Sequence, residues 1–345
     1  MSEQLGTLEE LPLDYREAMS AAGVAPLWPM MRNVLPHDLP APVTRPGYWA
    51  YAAMKPLLLR AGELTPVEKA ERRVLVMSDP GRGKGAMQAT ASIYLGMQLL
   101  LPGETAPAHV HTPSAVRIIV EGEGGFTVVD GEKMPMQAGD LVLTPGGEWH
   151  DHGHEGTAPV IWLDALDLPV FYYLEGSYAK EGPLQAQRNR PDASQVEYIS
   201  AGLAPSRRHE AGARRYPMMR YPWGRTEAAL REMARWSDGA FVELDYVNPE
   251  TGKDVLPTLG FTAMFLPKGA RLAPPLRSSS AAFHVVKGKG RSTVNGQVID
   301  WSAKDTFSTP VFAALDHEAA EDSFLIRVHD RPLQEKLGYY EERQR

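Results

Sequence analysis

Cysteine is missing altogether from this chain of 345 residues. That absence excludes disulfides, thiolate metal sites and thiol nucleophiles together. Long apolar runs are missing as well. No stretch approaches the ~20 residues that a membrane-crossing helix needs. The opening segment, MSEQLGTLEELPLDYREAM, is acidic and has no apolar centre, so it does not read as a secretory leader. A cytoplasmic protein without a membrane partner is the expectation. Positive charge is also scarce: 36 Lys and Arg stand against 43 Asp and Glu, a formal net charge of −7. A nucleic-acid partner is disfavoured, because neutralising phosphates needs a basic surface. What remains is 43% apolar and 23% charged, the balance of an ordinary globular protein, with length for two modest domains or one large one.

Residues 8–23 carry Leu11, Tyr15, Met19 and Ala22 at helical spacing and predict an N-terminal helix. In WAYAAMKPLLLRAGEL, Pro56 argues against one unbroken helix. From about Arg73 the texture changes to short alternating runs punctuated by Gly and Pro, which predict antiparallel strands of a sandwich or barrel. TEAALREMARW predicts a helix with Thr226 as its N-cap. Strand texture then returns as a repeat. Gly122 and Gly124 fall on Gly288 and Gly290 at an offset of 166; Gly131 falls on Gly296 and Pro145 on Pro310 at 165. Two copies of one small barrel are the economical reading. The expected division is residues 1–72 as a helical and extended segment, 73–175 as the first barrel, 176–240 as a linker with a helix, 241–330 as the second barrel and 331–345 as a tail.

Five of the ten histidines crowd into ETAPAHVH, from Glu104, and GDLVLTPGGEWHDHGHE, from Gly139. His109 and His111 are two apart on an extended segment, so both face one way, about 6.6 Å apart along the strand. One metal ion can bridge that gap where barrel strands curve, if His150 joins from a neighbouring strand. Imidazoles suit Fe, Zn, Cu or Ni. In the second copy His109, His111 and His150 fall on Pro275, Arg277 and Leu315. Histidines needed only for packing would have equivalents in both copies, so these three point to chemistry. Parity places Arg117 inside the barrel, where it needs a carboxylate partner from the protein or from a substrate. The same parity turns His152 inward as a candidate acid or base. Tyr94, Gly96 and Gln98 share one face of their strand. Asp164, amid apolar neighbours, would pair with Arg117 or steer His152.

The glycine–proline frame around these histidines resembles the two cupin motifs. Gly103, five residues and then His109-x-His111 match the first. Gly139, five residues, Pro145-x-Gly147, two residues and His150 match the second. The resemblance implies an all-β-dominated bicupin: two double-stranded β-helix (jelly-roll) barrels with an N-terminal helical segment and an inter-barrel helix. Many cupins add a glutamate ligand four or five residues after the second histidine; here Ala115 and Val116 stand there, leaving three imidazoles and open coordination positions.

HTPSAVRIIVEGEGGFTVVDGE, GDLVLTPGGEWHDHG, YVNPETGKDVLPTL and ERRVLVMSDPG together resemble the gentisate 1,2-dioxygenases over most of the chain. That resemblance implies a homotetramer with one Fe(II) per chain in the first barrel, acting as an extradiol-type ring-cleaving dioxygenase on a small aromatic acid and O2. The products would be those of gentisate opening to maleylpyruvate. By position it implies His109, His111 and His150 as iron ligands, and Arg117 and Arg72 at the substrate carboxylate. Gln98 and Tyr94 would line the substrate, with His152 and Asp164 as catalytic residues. Two departures are visible: His154 stands where relatives usually have Asn, and Tyr94 where salicylate-cleaving relatives have Trp, which leans away from salicylate. The competing readings are a salicylate or 1-hydroxy-2-naphthoate dioxygenase, a non-catalytic cupin that binds a small acid, and a zinc hydrolase using the same three histidines.

Overall fold

The computed structural model describes residues 6–182, 190–206 and 215–345. Parts of the expected linker, residues 183–189 and 207–214, lie outside the described residues. The chain forms two compact units, Met1–Val43 and Thr44–Arg345. In the first, a helix spans Leu13–Ala21, shorter than the 8–23 window. Pro12 stands at its N-cap. Gly23, at φ 67°, ends it: Gly23 N–H donates to Ser20 O and Val24 N–H to Met19 O, the paired bonds of a glycine-terminated helix.

The second unit holds two jelly-roll barrels, each made of two antiparallel sheets. In the first barrel one sheet centres on Ala115–Glu121, Val160–Leu166 and Tyr94–Leu100. The facing sheet centres on Thr105–His111, His150–His154 and Gly125–Val129. The second barrel repeats the plan with Ala281–Lys287, Ser323–His329 and Gly260–Leu266 opposite Leu315–Ala319 and Lys289–Val294. Register repeats between the barrels at matched pairs, although it sets Gly125 rather than Gly124 on Gly290. Arg117 lies across from Asp164, as Phe283 does from Arg327. Thr127 lies across from His152, as Ser292 does from His317. One apolar cluster, including Trp162, Leu163, Phe261 and Phe324, draws on strands of both barrels, and a second, including Phe283, Trp301 and Phe307, lies within the C-terminal barrel. Among the described residues no helix is long and apolar enough to cross a membrane.

Two helix expectations are corrected. Tyr51–Leu64 is one helix with Pro56 inside it. The proline removes a single backbone bond near the N-terminal end, while Tyr51, Met54 and Leu58 bury a continuous face against the strands Arg73–Val76 and Tyr94–Leu100. The other helix spans Trp223–Trp236, with its N-cap at Pro222, four residues before Thr226. Its first N–H is satisfied from a distance: Trp223 N donates to Asp140 Oδ1 (2.8 Å). Thr226 Oγ1 turns back to Pro222 O instead (3.4 Å). A cap supplied 83 residues away has no local signature.

The turn Pro145–Gly147 sets the relative position of the histidine strands. Gly147 takes φ 86°, a conformation side chains resist, and its N–H donates to His111 O (2.9 Å). Gly146 packs so tightly that an added Cβ would lie 2.2 Å from Thr112 O. Backbone from just beyond His111 and backbone just before His150 are therefore in direct contact. Gly146→Ala is expected to cost ~1–3 kcal/mol of stability, as overpacking does, and to lower metal content, measured by denaturant unfolding and metal analysis. Unchanged values of both would show that the carbonyl moves aside freely.

Candidate metal centre and its pocket

His109 faces His150 directly across an antiparallel pair, and a register shift between Ala106 and His109 bends this strand end, as bulges do at barrel rims. His111, two residues on, shares the face. The ring centroids lie 5.3 Å (His109–His111), 4.1 Å (His109–His150) and 4.8 Å (His111–His150) apart. One nitrogen from each falls within 4.8 Å of the others, a group that could hold a metal ion. Among the described residues no carboxylate joins it. Ala115 and Val116 are both buried.

Burial holds these imidazoles neutral. His109 is lowered to about 3, by desolvation first and then by the Arg72 and other nearby positive charges. His111 is lowered to about 4, again chiefly by desolvation. His150 and His152 are pushed well down by burial and then by Arg117. Carbonyl oxygens only accept, so two tautomers follow: His111 Nδ1–H donates to Pro113 O (2.7 Å) and His150 Nδ1–H to Glu148 O (2.9 Å). Both Nε2 lone pairs are thereby left for a metal. His150 Nε2 is buried without a partner among the described residues, a costly state unless something coordinates it. The donor set fits a divalent transition ion.

Arg72 reaches the same ring edge. Its Nη2 donates to Pro107 O (3.1 Å) and lies 2.7 Å from His109 Nδ1. A guanidinium has no lone pair to offer, so Nδ1 accepts. If Nε2 of His109 is committed to a metal, Nδ1 must carry the proton, and Arg72 has to release it.

Arg117, 4% exposed, crosses the barrel from the facing sheet. Nη2 donates to His152 Nε2 (3.0 Å) and Nη1 to the Thr144 hydroxyl. The remaining proton positions follow in sequence. His152 Nε2 accepts, so Nδ1 carries hydrogen and donates to Thr127 Oγ1 (3.0 Å), which in turn donates to Met136 Sδ (3.6 Å). Asp164 Oδ1 lies 3.4 Å from Arg117 Nε, a charge contact without a hydrogen bond, since both atoms lack partners. Its other oxygen accepts from Trp162 Nε1 (3.0 Å). Burial dominates both members of the pair: Asp164 is raised to about 6 and Arg117 lowered to about 10. Of the two roles the sequence left open for Asp164, the structure shows the pairing with Arg117; its other oxygen goes to Trp162, and Thr127 is the residue that meets His152 Nδ1.

Gln98 is 4% exposed on Tyr94–Leu100 and makes no side-chain hydrogen bond among the described residues. Tyr94 lies over Gly96, where an added Cβ would be 2.6 Å from the phenol oxygen. Its phenol is shifted upward by burial and then by Asp164. His154 turns out to tie a hairpin: its Nε2–H donates to Ala158 O (2.5 Å) while Nδ1 accepts from Gly156 N–H (2.9 Å). Sequence reasoning missed Thr127, Thr144 and Trp162. The hydroxyl at Thr127 recurs as Ser292 beside His317, so pairing the repeats would have found it.

Fold and centre together define a class: a bicupin whose first barrel carries three neutral imidazoles beside two guanidiniums, a setting for an anion on a metal. Residues 96–166 match the model of the cupin domain. A gentisate 1,2-dioxygenase from Ralstonia sp is 48% identical over 99% of this chain and 97% of its own. A 5-aminosalicylate 1,2-dioxygenase from Comamonas sp is 34% identical over 94% and 88%. The crystal structure of salicylate 1,2-dioxygenase from Pseudoaminobacter salicylatoxidans, as adducts with gentisate, superposes with a TM-score of 0.90 at 29% identity, covering 99% of this chain and 95% of that one. The chain belongs to the gentisate 1,2-dioxygenase family, a family of ring-cleaving dioxygenases.

A metal ligand must first lose its proton. Ordinary histidines therefore lose metal affinity below pH 6.5, ~tenfold per pH unit for each ring that protonates. Here the folded values lie near 3 and 4 for His109 and His111, so metal affinity should stay flat between pH 7 and 5. Competition titration with a chelator at both pH values measures it. A steep fall across that interval would contradict the assigned protonation states.

Proposed function

We propose that this protein is an Fe(II)-dependent dioxygenase that converts gentisate and O2 to maleylpyruvate, acting in the cytoplasm as a homotetramer. The observation that carries the reading is the convergence of His109, His111 and His150 beside Arg117 and Arg72, within a chain 48% identical to a gentisate 1,2-dioxygenase. When bound, a ferrous ion would supply a redox partner for O2 and open coordination positions beside the substrate. Everything else falls to the chain's own residues. The ring bond broken is the one between the carbons bearing the carboxylate and its neighbouring hydroxyl, outside any vicinal diol, and both atoms of O2 enter the product.

The substrate carboxylate is the natural partner of Arg117. As long as no substrate is present, Arg117 covers the lone pair of His152 Nε2. A bidentate carboxylate draws the guanidinium off, and the freed Nε2 can take the proton of the adjacent hydroxyl. Thr127 keeps the opposite nitrogen protonated, so the base faces the correct way. Arg72, displaced from His109 once that ring ligates, supplies a second positive group for the carboxylate. Gln98 offers its unspent amide to a substrate oxygen. Trp162, fully buried beside His152 at 5.7 Å between ring centroids, keeps water from the far side of the base. Asp164 holds Arg117 in place and limits the net positive charge.

The test is anaerobic loading with Fe(II), then gentisate, then oxygen, with O2 uptake followed against salicylate as comparison. One O2 consumed per gentisate is expected; absence of uptake by iron-saturated protein overturns the reading. Arg117→Met should retain iron and weaken gentisate binding by ~2–5 kcal/mol, as for loss of one partner of a buried charge pair. Unchanged KM in that variant would remove Arg117 from the substrate site.

A further inference from the structure

The second barrel has lost the histidines but kept a cavity where they would stand. It measures about 190 Å3, and its walls include Pro275, Arg277, Leu315, Phe283, Arg327 and His329. The first three occupy the repeat positions of His109, His111 and His150. Phe283 and Arg327 occupy those of Arg117 and Asp164. The arginine has thus moved to the paired position on the neighbouring strand of the same sheet, and a guanidinium, that of Arg277, stands where a metal-facing histidine stood. An empty pocket with no role would be expected to fill with apolar side chains, because unfilled space costs packing energy. This one has instead acquired charge.

The Arg277 side chain makes its one hydrogen bond among the described residues from Nε, to Glu342 Oε1 (3.1 Å). Glu342 sits on the short strand Glu342–Arg343, paired with Leu276–Arg277. Tyr340 donates to the same oxygen (2.5 Å). That clamp orients the guanidinium and leaves its two terminal nitrogens unspent, the fork that binds a carboxylate bidentately. Deeper in the wall, Arg327 is held by Glu243 (2.7 Å) and Thr262 (3.2 Å). Its Nε and the Nδ1 of His329 are buried without partners among the described residues. Phe283 stacks on Phe307 at 4.8 Å and, with Pro275 and Leu315, gives the cavity an apolar side. A dry cavity of ~150 Å3 admits benzene, so this one has room for a single substituted ring.

We propose that the mouth of the C-terminal barrel is a second ligand site for a small aromatic monocarboxylate, held at its carboxylate by Arg277 and along its ring by Phe283, Pro275 and Leu315. The site is separate from the metal centre and does not depend on the dioxygenase reading. The probe is 4-fluorobenzoate, followed by fluorine NMR on the full chain, anaerobically, with and without Fe(II). Probe bound beside the paramagnetic ion broadens when iron is added. Probe bound in the second barrel should keep a sharp bound signal. Arg277→Gln should weaken that signal's dissociation constant about tenfold or more, the effect of losing a charge-assisted pair, with iron content and turnover unchanged. Should Arg277→Gln fail to fold, Leu315→Trp, which fills the cavity and leaves Arg277 in place, should abolish the same signal. A single bound signal that broadens with iron overturns the proposal. So does a sharp signal that survives whichever of the two variants folds. Loss of O2 uptake alone would overturn the dioxygenase reading and leave the sharp signal standing.

Discussion

Removing imidazoles from water is the constraint on which the first barrel depends. A buried histidine cannot keep a proton cheaply, and His109, His111, His150 and His152 all shift downward with desolvation as the leading cause. Once neutral, each ring must place one hydrogen and one lone pair. Backbone oxygens of Pro113 and Glu148 take the hydrogens of His111 and His150. The lone pairs that remain converge, and His150 Nε2 has no hydrogen-bond partner among the described residues. The fold thereby builds a place that a cation with vacant orbitals can complete. No carboxylate joins the group among the described residues, so the centre keeps the full charge of whatever ion it holds.

Arg117 is the second consequence of burial. An arginine does not lose its charge in a protein interior, so the barrel must answer it with Asp164, Thr144 and the lone pair of His152. None of these is an ideal partner: the carboxylate contact is 3.4 Å without a hydrogen bond. Buried pairs of this kind are weak contributors to stability. In the proposed function they leave a guanidinium ready for a better carboxylate. In the proposed function, binding of an aromatic acid and exposure of His152 Nε2 would be one event, because the guanidinium offered to the acid is the one that covers that nitrogen.

Much of this was legible in the residues. The His109-x-His111 spacing, the Pro145-x-Gly147 turn and the glycine offsets locate the barrel, its repeat and the three converging rings, because strand parity and positive-φ glycines are local properties. Parity alone turned Arg117 and His152 inward. What escaped was non-local. Asp140 caps a helix 83 residues downstream, so Thr226 looked like the cap. The buried face of Tyr51–Leu64 outweighs Pro56 only once its neighbouring strands are in place. Thr127, not Asp164, steers His152, and a lone threonine in a β-rich run carries no signal until its partner strand is known. The cavity of the second barrel was hidden for the same reason: loss of ligands is visible in sequence, whereas replacement of a metal site by a clamped arginine requires the closing strand at Glu342.

The account stands on three neutral imidazoles and no protein carboxylate around one ion. X-ray absorption at the iron edge, on protein loaded with Fe(II) before substrate, tests it most directly. The fit should require three imidazole rings with the remaining shell made of water oxygens, and anaerobic gentisate should replace waters while all three rings stay. A fit with fewer than three rings, or a first shell unchanged by gentisate, would contradict it.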